Sequence, residues 1–322
     1  MIELVNLSNA SFDNEGLLGN RIGALPELLA RHALDGIEFM PCDVWDRRLH
    51  PADLIRGVHL MFWPAWLSFW REDQKSLQAE FGNAENVKQY FGALTPTKWL
   101  SVWKKNIDRA AACQPDYVVF HVADSPTLSV YTREFSASDD EVINAAIELV
   151  NIIMKDLPDA CQLLFENLWW PGLTFQRPEL AARLLEGVQH VNTGFMLDTG
   201  HLMNTNLELR SEREAVDYVT TVFQQLGEMG QYVRGLHLHC SLSGEYTKQM
   251  MRRHAGEHRP LSWQESMDYI THVDWHQPFQ TDAVRQIVDT VQPDYLVHEF
   301  MQRSQEDWEQ KIRAQRRALG WE

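Results

Sequence analysis

Four cysteines in 322 residues, Cys42, Cys113, Cys161 and Cys240, stand without a CxxC spacing. That scarcity argues against a disulfide framework or a thiolate zinc site and fits a reducing cytoplasm. No run approaches the roughly 18 consecutive apolar residues that a membrane-spanning helix needs, so no span is expected. The opening stretch "MIELVNLSNASFDNEG" lacks a basic region followed by an apolar segment, so no secretory signal is read there. Positive charge is also short: Lys and Arg total 29 against 45 Asp and Glu, a formal net charge of −16. Such a balance argues against a general nucleic-acid partner. Two local basic clusters, "MRRHAGEHR" (Met251 to Arg259) and "KIRAQRR" (Lys311 to Arg317), read as solvated faces. Repeats, low-complexity tracts and Gly/Ser/Pro linkers are missing too, which predicts one domain over residues 1–322.

What the chain does have is alternation. Short apolar, β-branched runs give way to helical periodicity eight times. The runs are "IELVNLS", Gly36–Cys42, Gly57–Trp63, Asp116–Ala123, Gln162–Leu168, Gly194–Gly200, Val233–Cys240 and Tyr295–Phe300. The helices are read near Gly23–His32, Pro51, Thr97 onward, Asp139–Lys155, Pro178–Glu186, Ser211–Leu226, Thr281–Val291 and Gln305–Leu319. Eight such units predict an α/β fold, a single (β/α)8 TIM barrel. Near-continuous apolar strands agree, because both faces of a parallel strand are buried. Two connections are too long to be plain turns: Pro64–Pro96 after strand three, rich in aromatics, and Ser241–Pro278 after strand seven. Both fall on the face where such barrels build their sites, so both are expected to be long loops walling it.

Polar residues gather where the strands end. Strand three carries His59, strand four His121, strand five Glu166 in "LLFENLWWPG", and strand six Asp198 followed by His201. Strand seven supplies His237 and His239, strand eight Glu299, and the loop after strand seven holds Asp274 and His276 in "VDWHQPF". Burying an unpaired carboxylate such as Glu166 costs several kcal/mol, so it demands a cation or strong donors. With few Lys and Arg near the strand ends, a metal is the economical partner. A mixed imidazole and carboxylate set suits zinc, manganese or iron.

The ordered pieces "DGIEFMP", "GVHLMFW", "VFHVAD", "FENLWW", "LDTGH", "HLHC", "DWH" and "VHEF" resemble the xylose-isomerase-like barrel superfamily. That superfamily includes sugar isomerases, ketose 3-epimerases and apurinic-site nucleases of the endonuclease IV type. The resemblance implies a shared metal site at Glu166, Asp198, His237 and Glu299. If the centre is multinuclear, it implies further ligands at His59, His121, His201, Asp274 and His276, with Glu166 bridging two metals. It implies one to three divalent ions (Mn, Zn, Fe or Mg). It also implies an isomerase or epimerase of a sugar, sugar phosphate or related polyol in carbohydrate metabolism. There Glu166 and Glu299 act as base and acid through an enediolate, and His201 steadies a substrate oxygen. His239, Trp63, Trp169 and Trp170 are the expected substrate contacts. The alternatives are a di- or trinuclear phosphoester hydrolase and a non-catalytic metal- or ligand-binding barrel. The expected partner is a small carbohydrate-like molecule, with no membrane and no nucleic acid; oligomeric state is left open. Two departures stand out. Cys240 replaces the Asp of a His-x-x-Asp pattern, and the Gly-Glu-x-x-Arg signature of ketose epimerases is reduced to a displaced Gly244–Glu245.

Overall fold

A computed structural model describes residues 1–257 and 259–321. The strands are β1 (Ile2–Ser8), β2 (Gly36–Met40), β3 (Ile55–His59), β4 (Tyr117–His121), β5 (Gln162–Glu166), β6 (Thr193–Asp198), β7 (Val233–Leu238) and β8 (Tyr295–His298). Each pairs in parallel with its sequence neighbour, and β8 returns to β1, closing the eight-stranded barrel that the alternation predicts. Leu4, Tyr117, Val119, Leu164, Met196 and Val297 fill its interior. Gly57 faces that interior because it must: a Cβ there would overlap the ring of Tyr117.

Helices wrap the outside and bury one apolar stripe each against the strands. Pro96–Ala112 starts on a Thr95 cap with proline in its first turn, and Asp139–Ile153 starts on a Ser138–Glu141 capping box. Pro178–Gly187, Glu212–Gln225, Arg285–Val291 and Gln305–Leu319 follow β5 to β8 close to the predicted bounds.

The two expected long loops are largely helical. After β3 come Leu67–Trp70, Gln74–Phe81 and Ala84–Phe91, the last two capped by Asp73 and Asn83. After β7 come Gly244–Arg253 and Trp263–Val273. Loops following β3, β4, β5 and β7 join above the barrel in an apolar cluster of their own, containing Val130, Trp169, Trp170, Met250, Tyr269 and Val273, with Phe62 against it. The cluster at 251–259 lies largely open to solvent as expected, whereas in 311–317 Lys311 and Arg316 are mostly covered; carboxylates outside each cluster neutralise both. Arg252, Arg259, Lys311 and Arg313 each face a carboxylate at 2.6–3.4 Å, while His258 lies outside the described residues. Among the described residues no helix is long and apolar enough to cross a membrane.

Candidate metal centre

Strand ends deliver the predicted donors to one mouth. His59, His121, Glu166 and Asp198 are the terminal residues of β3, β4, β5 and β6. The pairing register sets His121 beside Glu166 and Asp198 beside His237. Glu299 follows β8 by one residue, and His201 lies in the short helix Thr199–Met203 that leaves β6. Asp198 caps that helix, its Oδ1 accepting from the His201 N–H at 2.6 Å. Asn167 pins the same junction: its Oδ1 accepts from the Asp198 N–H at 2.8 Å, and its Nδ2 donates to the Asp198 carbonyl at 3.1 Å.

Two groups of donors share Glu166. His59, His121 and Glu166 bring ligand atoms within 4.8 Å of one another, and so do Glu166, Asp198, His237 and Glu299. His59 Nε2 and His121 Nε2 lie 3.1 and 2.9 Å from Glu166 Oε2. His237 Nδ1 lies 3.2 Å from Glu166 Oε1 and 3.1 Å from Glu299 Oε2. A third set gathers on Asp274, whose Oδ2 is 3.1 Å from His201 Nε2 and 3.3 Å from His276 Nδ1. The helical excursion after β7 is what carries Asp274 and His276 back to the mouth.

The donors fit a divalent metal on a specific point of geometry. His59 Nδ1 faces the Leu60 carbonyl at 3.1 Å, and His201 Nδ1 faces the Asn167 carbonyl at 2.9 Å. A carbonyl only accepts, so each Nδ1 carries the proton and donates it. The neutral ring then turns the lone pair of Nε2 onto a carboxylate, Glu166 for His59 and Asp274 for His201. Lone pair against carboxylate is repulsive until a proton or a metal cation lies between them. His237 is held likewise, with Nε2 3.0 Å from the Glu38 carboxylate and Nδ1 turned to Glu166 and Glu299. Such anchoring orients imidazole ligands and raises their basicity. His121 Nε2 and Glu299 Oε2 are buried and close to a neighbour, yet neither has hydrogen-bond alignment.

Crowded opposite charges set the proton affinities. Burial depresses His59, but its hydrogen bond and charge contact with Glu166 outweigh burial and hold it at about 8. At His276 burial again opposes, and Asp274 and Glu299 bring it to about 9. Burial would raise Glu166 and Glu299; the histidines around them, His237 in both cases, pull both well below the usual carboxylate range. The carboxylates are therefore ionised, and the protons on the rings are what a metal has to displace.

A family model described as "Xylose isomerase-like TIM barrel" matches residues 90–314. The chain belongs to that family. Solved structures agree in fold. Endonuclease IV from Thermus thermophilus is 16% identical, with a TM-score of 0.54 over 99% of each chain. A D-tagatose 3-epimerase-like protein is 13% identical, with a TM-score of 0.51 over 99% of this chain and 97% of that one. The IOLI protein with a binding zinc atom is 14% identical, with a TM-score of 0.51 over 99% of this chain and 96% of its own. No curated protein matches the chain in sequence.

Within this xylose isomerase-like barrel the expected substrate contacts are differently placed. Trp63 is 5% exposed, edge-on to Trp99 and Trp103, and its indole donates to the Tyr90 carbonyl at 3.0 Å. Its ring is consumed by packing and offers no face for stacking. Trp169 stands 5.2 Å from the His201 ring, but it and Trp170 are buried in the cluster over the mouth. His239 belongs with the donors: its Nε2 is 2.9 Å from Asp198 Oδ2, and its ring stacks on His276 at 4.0 Å. Sequence reasoning missed Glu38, which is 2% exposed and holds both His237 and the Tyr117 hydroxyl, the latter at 2.7 Å. The signal was present in "GIEFM", a carboxylate inside an apolar strand, the same signal that exposed Glu166.

Proposed function

We propose that this barrel is a multinuclear metal-dependent hydrolase of a small phosphoester. The observation that carries the reading is the convergence of the predicted donors and His239 into overlapping groups, two sharing Glu166 and two sharing His239, with Asp274 Oδ2 against His201 and His276. A mononuclear isomerase or epimerase would use Glu166, Asp198, His237 and Glu299 and would leave His59, His121, Asp274 and His276 without a task. Divalent ions bound by these residues supply charge stabilisation for a phosphoryl transition state and a nucleophile at neutral pH.

The chain's own groups prepare that chemistry. Glu166 would set the spacing between the first two groups, one oxygen toward His59 and His121 and the other toward His237. Asn167, Leu60 and Glu38 fix which ring nitrogen of His201, His59 and His237 faces inward. The apolar cluster over the mouth limits water around the reacting group. The net charge of −16 disfavours a duplex and leaves a small substrate.

Elemental analysis of metal-replete protein tests this, together with hydrolysis of bis(p-nitrophenyl) phosphate. The expected result is two or three ions per chain, falling by about one in His276→Ala, with turnover lost in Glu166→Gln. One ion per chain, unaffected by His276→Ala, would return the protein to the isomerase and epimerase reading.

A further inference from the structure

Two of the overlapping donor groups meet on His239, a residue the resemblance does not place among the metal ligands. It brings a ligand atom within 4.8 Å of those of Asp198 and His201, and likewise of those of His276 and Glu299. Its surroundings leave no face for a substrate. The ring is fully buried and lies parallel to the His276 ring, 4.0 Å away and 6° from coplanar. It also presses against Gly200, where a Cβ would overlap its Cε1. What remains to the ring is the chemistry of its two nitrogens.

Ser241 decides which of them carries the proton. Its Oγ accepts from the Trp275 N–H at 2.9 Å and stands 3.1 Å from Asp274 Oδ1 and 3.4 Å from His239 Nδ1. A hydroxyl has one proton to give, and an ionised carboxylate can only accept. The Ser241 proton therefore goes to Asp274, and the second lone pair of Oγ is left to face a proton on His239 Nδ1. That tautomer aims the Nε2 lone pair at Asp198 Oδ2, 2.9 Å away. Lone pair and carboxylate repel at that distance unless a cation stands between them, the same condition as at His59 and His201. Asp198 has this oxygen to spare, because its Oδ1 is taken by the His201 N–H at 2.6 Å.

We infer that His239 is a further metal ligand, binding through Nε2 an ion that it shares with Asp198. The inference rests on the reading of the mouth as a metal centre and not on the bond that is hydrolysed, so the two fail separately. Full-length protein carrying isotope-labelled histidine is loaded with a magnetic cadmium isotope, and its imidazole nitrogens are read by NMR. The His239 signals are assigned through their contacts with Gly200. The expected result is a proton on Nδ1 and a splitting of Nε2 by bound cadmium. Competition titration of His239→Gln should show one bound ion weakened by at least about tenfold, as loss of a metal-orienting group alone already costs. A proton on His239 Nε2 in the loaded chain, no splitting there, or metal binding unchanged in His239→Gln would each overturn the inference. The spectrum of the unaltered chain decides the matter even if the variant fails to fold. A chain that couples cadmium to His239 yet leaves bis(p-nitrophenyl) phosphate intact keeps the ligand and loses the reaction. A chain that hydrolyses the diester with His239 Nε2 protonated keeps the reaction and loses the ligand.

Discussion

At Gly200 one missing methyl group shapes the mouth. A Cβ there would fall inside the imidazole of His239, overlapping Cε1 and Nδ1. His239 is fully buried, stacked on His276 and hydrogen-bonded to Asp198, so it can yield only by moving two donors. This is the physical content of the glycine in "LDTGH": the helix after β6 must pass against a ring from the end of β7. Gly200→Ala is expected to remain folded, at an overpacking cost of about 1–3 kcal/mol. Its diester hydrolysis should fall on the order of 100-fold, because a displacement near 1 Å suffices for that. Elemental analysis should show fewer ions per chain. Full metal content with unchanged turnover would mean that the mouth tolerates the shift and that His239 has no part in it.

At the scale of elements, the last helix, Gln305–Leu319, closes the barrel through one buried amide. Gln315 is fully buried; its Oε1 accepts from the Phe279 N–H at 3.0 Å, and its Nε2 donates to the Leu238 carbonyl at 2.8 Å. The same Nε2 lies 2.8 Å from His298 Nδ1, so one side chain ties the helix to the ends of β7 and β8 and to the loop between them. Gln315→Leu keeps the volume and orphans three buried polar groups, at about 1–3 kcal/mol for each. A loss of about 3 kcal/mol or more in urea unfolding is expected, against a small effect for Gln310→Leu on the exposed side of the same helix. Equal losses would remove the argument.

Much of this element scale was legible. Strand and helix order follows from apolar runs alternating with 3.6-residue periodicity. The strand ends did not: the runs extend to Trp63, Ala123 and Leu168, whereas the strands stop at His59, His121 and Glu166. Apart from Met61, which is exposed, the extra apolar residues are covered by the loops above the barrel rather than by the sheet, and hydrophobicity alone cannot tell the two apart. The helices of both excursions were marked by Asp73, Asn83 and the Ser262–Glu265 capping box, signals that aromatic richness and loop length masked. Of the site, nine donors were named from strand ends and resemblance, while His239, which the structure sets among them, was read as a substrate contact. Glu38 was not named, because it ends no strand. The fate of Trp63 was hidden because its partners, Trp99 and Trp103, come from a helix some forty residues further on.

For the whole molecule, the consequence of a metal centre built from strand ends is thermodynamic. Donors come from β3, β4, β5, β6 and β7 and from the residue after β8, so bound ions would cross-link six of the eight strands. An ion present at about 100 times its Kd stabilises the folded state by about 2.7 kcal/mol, and three such ions by about 8 kcal/mol. Unfolding entropy near 2.1 cal/mol/K per residue over this length converts that to a Tm shift on the order of 10 °C. The shift must also depend on pH, and its sign follows from the histidines. His59 at about 8 and His276 at about 9 are raised above their unfolded value of about 6.5. In the chelated protein their protonation contributes stability that is complete below about 6.5 and lost as pH rises through 8 to 9. In the loaded protein the ions replace those protons, so binding releases them and strengthens as pH rises. The Tm difference between loaded and EDTA-treated protein should therefore widen from pH 6 to pH 9. Scanning calorimetry at the two pH values reads it directly. A difference that is absent, or that narrows as pH rises, would mean these donors do not hold metal in the folded chain.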